Sequence, residues 1–335
     1  MQLLFTLDYE LFMGPCTGSV DNCLIRPLDL YLAATDNKLP FTLFVDAAYL
    51  HALKRLKGRH ACLDDDYTKI ARHLRQLHQK GHDIQLHIHP QWFYSSFNGT
   101  EWQLDTAHYK LADMELSDRL KLVKEAKALL DGIIGKHTTA FRAGGFSAQP
   151  TEMLATLFDT CALRADSSVC PGLRYDSPFQ QYDFSSAQRQ TAYRFENDIC
   201  QEQSNGRFIE CPISMHQAGA SFHWRLAITR LLDKFTKGTL HNTYGDGQSI
   251  PATRSSIMRR LLGTSSVMAT IDGYKISFLK DAIDQHAQGG YGTMCILGHP
   301  KLATPYSVNK LHEVYTYARQ MGHTCITLSE HMEKL

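Results

Sequence analysis

Four short stretches of this chain carry residue types that could act together on a substrate. Leu7-Asp8-Tyr9-Glu10 places two carboxylates two residues apart at the end of an apolar run. On a strand such a pair faces one side, where it can bind a cation or divide into a ligand and a general base. The plainer reading is a helix cap by Asp8 and a solvated Glu10. Gln85-Leu86-His87-Ile88-His89-Pro90 presents two imidazoles at i and i+2, a spacing that turns both toward one metal ion. A hydrogen-bonded pair of strand-end histidines is the alternative.

Phe141-Arg142-Ala143-Gly144-Gly145-Phe146 offers a guanidinium that can orient a carboxylate. Its glycines leave backbone N–H groups open to an oxyanion. Leu297-Gly298-His299-Pro300 supplies a histidine suited to general acid work. Asp166, in Arg164-Ala165-Asp166-Ser167-Ser168, could hold that histidine and raise its pKa. Together the set provides metal ligands, base, oxyanion donor and acid, which suits metal-assisted hydrolysis of an amide or ester.

Each stretch ends a segment that reads as a strand. Apolar runs at 3–7, 41–45, 83–89, 140–142 and 161–165 alternate with helical spacing at 67–80 and 117–134. Gly81 and Gly135 mark helix ends, and Ser117 is a possible N-cap. Further strands are expected at 207–213, 293–297 and 323–328, with a helix at 306–321 closed by Gly322. Seven or eight strands alternating with helices point to an α/β barrel, whose active site lies at the C-terminal strand ends. Residues 170–290 break the rhythm, with helical pieces around 222–235 and 275–286. No Pro/Gly/Ser-rich linker bounds them, so they read as an elaboration of a single domain spanning 1–335.

The chain has 335 residues, a net charge of +1 and 43% apolar residues, which excludes a disordered polyelectrolyte and a strongly basic nucleic-acid binder. Nine scattered cysteines, an odd number with no CxxC, argue against a disulfide framework. Asp8 and Glu10 interrupt the first apolar run, a poor secretory signal, and no stretch reaches the ~18 apolar residues of a membrane span. A cytoplasmic protein is expected.

With these motifs in place, the chain resembles the polysaccharide deacetylase superfamily, the nodulation-deacetylase homology domain. The resemblance covers about the first 170 residues and resumes at His299. The family's Thr-Phe-Asp-Asp-Gly is similar to Thr6-Leu7-Asp8-Tyr9-Glu10, which implies Asp8 as base and Glu10 as the metal carboxylate, with exchange of roles possible. The family's two metal histidines lie four apart. His87 matches the first, Gln91 stands at the second, and His89 looks like its substitute. The Arg-Pro-Pro-Tyr-Gly motif is similar to Arg142-Ala143-Gly144-Gly145-Phe146, implying that Arg142 orients the base and the N–H near Gly145 holds the oxyanion. Asp166 and His299 look like the fourth- and fifth-motif residues, although residues 167–298 intervene. Asp-Tyr-Glu-Leu-Phe and Leu-His-Ile-His-Pro look like marks of a divergent subgroup.

The resemblance implies a distorted (β/α)7 barrel with a large late insertion. It also implies a divalent metal, Zn²⁺ first, and removal of N-acetyl from a sugar or glycan intermediate. A metal-dependent glycosidase, another amide hydrolase and a non-catalytic sugar binder are the alternatives. Trp92, Tyr94 and Trp102 flank Asn98-Gly99, a two-residue hairpin signal, and could stack on sugar rings; a hydrophobic cap is the other reading. Asn98-Gly99-Thr100 also matches a glycosylation acceptor. Arg254, Arg259 and Arg260 could bind a phosphate of a nucleotide- or lipid-linked sugar, or form a solvated helix face. Tyr182-Asp183-Phe184 and Glu210-Cys211-Pro212 are candidate cleft residues.

Overall fold

The computed structural model describes all residues except 178–179, 234, 236–239 and 250–264. Arg254, Arg259 and Arg260 therefore lie outside the described residues. The chain forms two compact units, each built from two stretches. The first holds Met1–Phe41 and Ser214–Thr327, and the second holds Thr42–Ile213 and Leu328–Leu335.

In chain order the elements begin with β1 (Gln2–Tyr9), α1 (Arg26–Ala34), β2 (Phe41–Asp46), α2 (Ala47–Arg55), α3 (Ala61–Gln79) and β3 (Asp83–Ile88). There follow α4 (Leu116–Ile134), β4 (Ala140–Ala143), α5 (Thr151–Cys161), β5 (Ala165–Asp166), β6 (Tyr193–Phe195), β7 (Phe208–Glu210) and β8 (Met215–Ala218). The last are α6 (Ala220–Leu232), β9 (Ser265–Met268), α7 (Leu279–Gln288), β10 (Thr293–Gly298), α8 (Pro305–Gln320), β11 (Thr324–Cys325) and α9 (Leu328–Met332).

In the first unit β1 pairs in parallel with β10, from Gln2 opposite Thr293 to Leu7 opposite Gly298. On its other edge β1 takes β11, Gln2 opposite Thr324. Leu3, Leu4, Phe5 and Leu7 are all buried, so β1 is apolar on both faces, as an interior parallel strand must be. Thr270 bridges Leu297 in parallel, extending the sheet beyond β10. β8 and β9 form a separate antiparallel pair, Met215 opposite Met268. Helix α8 opens with a reciprocal cap: Ser307 N–H donates to Thr304 Oγ1 at 3.1 Å and Thr304 N–H to Ser307 Oγ at 2.9 Å. Pro305 at its first position loses no helical hydrogen bond.

In the second unit β2, β3, β4, β5 and β7 pair in parallel in that order, and β6 joins β7 antiparallel. The register sets Asp46 opposite His87, His87 opposite Arg142, Phe141 opposite Asp166, and Asp166 opposite Glu210. Helix α3 buries Leu63, Ile70, Leu74 and Leu77, the apolar face its spacing predicts. Helix α4 ends at Gly135 in the left-handed conformation.

Several boundaries differ from expectation. The strand expected at 161–165 is only β5, because Cys161 closes α5 and Ala162 takes a left-handed φ of 54°. The strand expected at 323–328 is only β11, and Leu328 starts α9. Glu115, not Ser117, precedes α4. The Asn98-Gly99 turn is a four-residue loop, since Phe97 pairs with Trp102. Asn98 Oδ1 accepts from Thr100 N–H at 2.9 Å and from Glu101 N–H at 3.0 Å, which favours the longer turn.

Two features of the second unit generate tests. Asp46, buried at the end of β2, accepts the Trp92 indole N–H at 2.7 Å and the His89 backbone N–H at 3.2 Å, and so fixes the turn after β3. Asp46→Ala strands two buried donors and should cost about 2–4 kcal/mol in denaturant unfolding; a change near zero would show the turn holds without it. Glu210 and Asp166 face each other fully buried. Burial first, then the Asp166 charge, pushes Glu210 well above the usual carboxylate range. The folded chain thus binds a proton that the unfolded chain has released above about pH 4.3. Its stabilisation is complete below that value and is lost as pH rises toward the raised folded pKa, at about 1.4 kcal/mol per pH unit. Glu210→Gln removes this loss, so the variant should gain on wild type in unfolding midpoints between pH 5 and pH 8. Parallel pH profiles would contradict the raised pKa.

Candidate active site

In the first unit, in-register pairing of β1 with β10 brings Asp8 and His299 level at the ends of their strands. His299 Nε2 lies 3.5 Å from Asp8 Oδ2 and 3.8 Å from Glu10 Oε1. On the other side of the ring, Asp272 Oδ2 takes the Nδ1 proton at 2.9 Å, and Asp272 Oδ1 accepts the His299 backbone N–H at 2.8 Å. Burial alone would lower the His299 pKa. Asp272 foremost, then Asp8 and Glu10, overcome burial and raise it. Asp272 therefore orients the ring, with Nε2 toward Asp8.

This corrects one expectation. The carboxylate that holds His299 is Asp272, from inside the segment read as an elaboration, and not Asp166. Asp166 sits wholly buried in the second unit, accepting Ser168 N–H at 2.8 Å and Ser168 Oγ–H at 3.1 Å beside Arg142 and Glu210. Burial first raises its pKa, and the serine contacts and Arg142 act against that rise.

Lys301 is a second residue that pattern reading missed. Its ammonium donates to Glu10 Oε1 at 2.8 Å and to the Leu11 carbonyl at 2.8 Å, 5.0 Å above the Phe12 ring. Glu10 is thereby tied to a lysine, while Asp8 faces the histidine. The Tyr244–Gly247 loop closes over the same region. Tyr244 N–H donates to Ala303 O at 2.8 Å, and Asp246 accepts from Ser19 N–H at 2.7 Å, Ser19 Oγ–H at 2.8 Å and Asn22 Nδ2 at 2.9 Å.

In the second unit, His87 and His89 end β3 as buried neighbours, ring centroids 4.9 Å apart. His87 Nδ1 lies 2.8 Å from the Arg142 carbonyl. A carbonyl only accepts, so Nδ1 carries a proton, which makes Nε2 the candidate ligand atom. Gln91, two residues on, is 1% exposed, and neither of its side-chain amide atoms has a hydrogen-bond partner. Buried amides are normally satisfied, so this one fits a place that takes a polar guest. Two imidazoles, one with its lone pair set by a carbonyl, suit a divalent cation such as zinc.

Arg142, 0% exposed, donates from Nε to Ser167 O at 2.7 Å and from a terminal nitrogen to Ser167 Oγ at 2.9 Å. Its guanidinium lies 4.1 Å over the Phe44 ring. Gly144 is required by space: a Cβ there would meet the Ile88 carbonyl at 2.6 Å and the His89 ring at 2.8 Å. Gly145 adopts a φ of 57°, and its carbonyl accepts from Gln180 Nε2 at 2.7 Å.

The aromatic expectation is also corrected. Trp92 is 0% exposed, packed on Tyr49 and Trp102 with its N–H on Asp46, so it cannot stack on a sugar. Tyr94 donates to Asp118 at 2.9 Å and stacks on His108, while Trp102 packs on Phe97 and Tyr49. These rings form the hydrophobic cap that was the alternative. Tyr182 and Phe184 stack on each other within the core, ring centroids 4.9 Å apart.

No family model matches the chain, and no curated protein is similar to it in sequence. Solved structures are similar in fold. A putative polysaccharide deacetylase from Mycobacterium smegmatis aligns at TM-score 0.54 and 12% identity, over 99% of this chain and 89% of that one. A probable polysaccharide deacetylase from Pseudomonas aeruginosa PAO1 aligns at TM-score 0.51 and 12% identity, over 98% and 88%. The PuuE allantoinase aligns at TM-score 0.50 and 12% identity, over 98% and 88%. With the parallel strands and their polar ends, these likenesses establish the fold: the chain shares with these structures a distorted (β/α)7 barrel.

Proposed function

We propose that the protein is a metal-dependent hydrolase that removes an N-acetyl group from a sugar or glycan precursor. The observation that carries this reading is the Asp8–His299–Asp272 chain, with contacts of 3.5 Å and 2.9 Å. It sets a carboxylate base beside an oriented imidazolium acid, the two groups that amide hydrolysis needs. Asp8 takes the proton from the attacking water. His299 gives its proton to the departing amine, and Asp272 keeps the ring turned for that transfer. Lys301 holds Glu10 in place.

His87 and His89 supply the imidazole ligands of the divalent cation, zinc in the first instance. The cation when bound polarises the acyl carbonyl and acidifies water. The amine product carries the sugar, and acetate is the other product. The fold's polysaccharide deacetylases support a carbohydrate substrate. An allantoinase on the same fold makes a different amide the reading to exclude.

Acetate release from N-acetylated oligosaccharides, with metal content by elemental analysis, tests the proposal. His87→Ala should lose bound metal and reduce kcat/KM at least 100-fold. Undiminished acetate release by a metal-free variant would overturn the reading. Turnover of amides without acetate would assign the protein to another class of amide hydrolase.

The acid role has its own signature. His299 must be protonated to act, so activity persists below its raised pKa and falls as pH climbs through it. Asp272→Asn removes the foremost group raising that pKa, so the alkaline limb of kcat/KM should move to lower pH and kcat should fall roughly 10–100-fold. An unmoved limb would show that His299 is not the acid.

A further inference from the structure

Helix α6 carries an apolar face that its own packing does not use. It is anchored through the opposite side. Phe222 packs with Ala218 and Phe278, its ring 4.2 Å from that of Phe278. Thr229 Oγ1 lies 3.2 Å from His241 Nε2, and Asp233 accepts the backbone N–H groups of Leu240 and His241, both at 3.0 Å. Residues 222, 229 and 233 recur at helical spacing, which fixes the inner face.

On the outer face Trp224, Ile228, Leu231 and Leu232 are 52%, 48%, 68% and 49% exposed, and Phe235 beyond the helix end is 85% exposed. Ten large hydrophobic side chains are exposed among the described residues, and five of them fall on this one segment. Spacing of four and three residues puts Trp224, Ile228 and Leu231 on one face, Leu232 borders it, and Phe235 follows the helix end. Such a concentration marks an interaction surface and not ordinary scatter.

Charge identifies the partner. Arg225 and Arg230 are exposed and, at 100° per residue, flank the stripe on either side. The Arg225 guanidinium lies 5.8 Å from the Phe278 ring centroid. Over residues 220–237 the acid–base count is Asp233 alone against Arg225, Arg230, Lys234 and Lys237. Asp233 is buried on the inner side, so among the described residues of α6 and the turn that follows it no acid flanks the stripe. Two copies meeting through this face would bring like charges together, which opposes a dimer. An apolar stripe with a tryptophan, bordered by arginines, matches the boundary between anionic headgroups and acyl chains. Thirteen residues at 1.5 Å rise reach about 20 Å, too short to cross a bilayer, so the helix would lie in the plane.

We propose that α6 and Phe235 dock the protein on an anionic lipid bilayer. Trp224, Ile228, Leu231, Leu232 and Phe235 enter the interface, and Arg225 and Arg230 meet lipid phosphates. The inference is independent of the catalytic proposal.

The test uses the full chain with vesicles of phosphatidylcholine alone or mixed with phosphatidylglycerol, followed by sedimentation and tryptophan emission. The chain has three tryptophans, and of Trp92, Trp102 and Trp224 only Trp224 is exposed, so a blue shift reports its transfer. The protein should pellet with the phosphatidylglycerol vesicles, shift to the blue, and release as salt is raised. Leu231→Ser with Phe235→Ser should lower partitioning at least ~10-fold while the thermal midpoint stays near wild type. Arg225→Glu with Arg230→Glu should abolish the preference for phosphatidylglycerol. Trp224→Phe should keep binding and lose the shift. Equal recovery in the supernatant with both vesicle types would overturn the proposal. So would concentration-dependent dimerisation that the serine variant abolishes while vesicles bind nothing.

Discussion

Parallel pairing in register is the constraint on which the chemistry of each unit depends. Parallel strands whose carboxyl ends stop level deliver their next side chains at the same height. In the first unit the Leu7–Gly298 pairing makes Asp8 and His299 successors of facing residues, and they meet at 3.5 Å. In the second, Asp46, His87 and Arg142 lie in line across three strands, and Asp166 and Glu210 across two more. A slip of one residue would turn each of these groups to the opposite face. The apolar strand interiors hold that register, since both faces of β1 and β2 are buried.

Level polar ends in an apolar setting must be neutralised locally, because buried charge is costly unless paired. The two units do this differently. The first pairs opposite charges: His299 with Asp272, and Lys301 with Glu10. The second sets two carboxyls whose pKa values burial raises side by side, and wraps the Arg142 cation in a serine carbonyl, a hydroxyl and the face of Phe44. The first arrangement leaves the His299 side chain 14% accessible. The second is sealed, both carboxyls being 0% exposed.

The strand ends were legible because each joins an apolar run to a sudden polar residue, as at Asp8, His87 and His299. The helices between them were legible from their periodicity and closing glycines. Asp272, Lys301 and Asp46 were not, for a common physical reason. Each is a single polar residue whose partner lies far off in the chain, 27 residues away for Asp272 and 291 for Lys301. Local pattern carries no trace of such a pairing. Trp92 and Trp102 misled because an aromatic cluster beside a hairpin looks alike whether it meets a sugar or packs inward. Only the Asp46 bond to the indole N–H separates the two.

The place of Asp272 bears on how this barrel can vary. A late insertion is usually pictured as a module, added or exchanged to change what is bound while the catalytic core stays constant. Here the carboxylate that sets the acidity of His299 lies in the inserted stretch. So does Asp246, which grips Ser19 and Asn22 beside the first catalytic loop. The segment is therefore not a detachable accessory. Replacing it would remove the carboxylate that orients His299 and the anchor of Ser19 and Asn22 together.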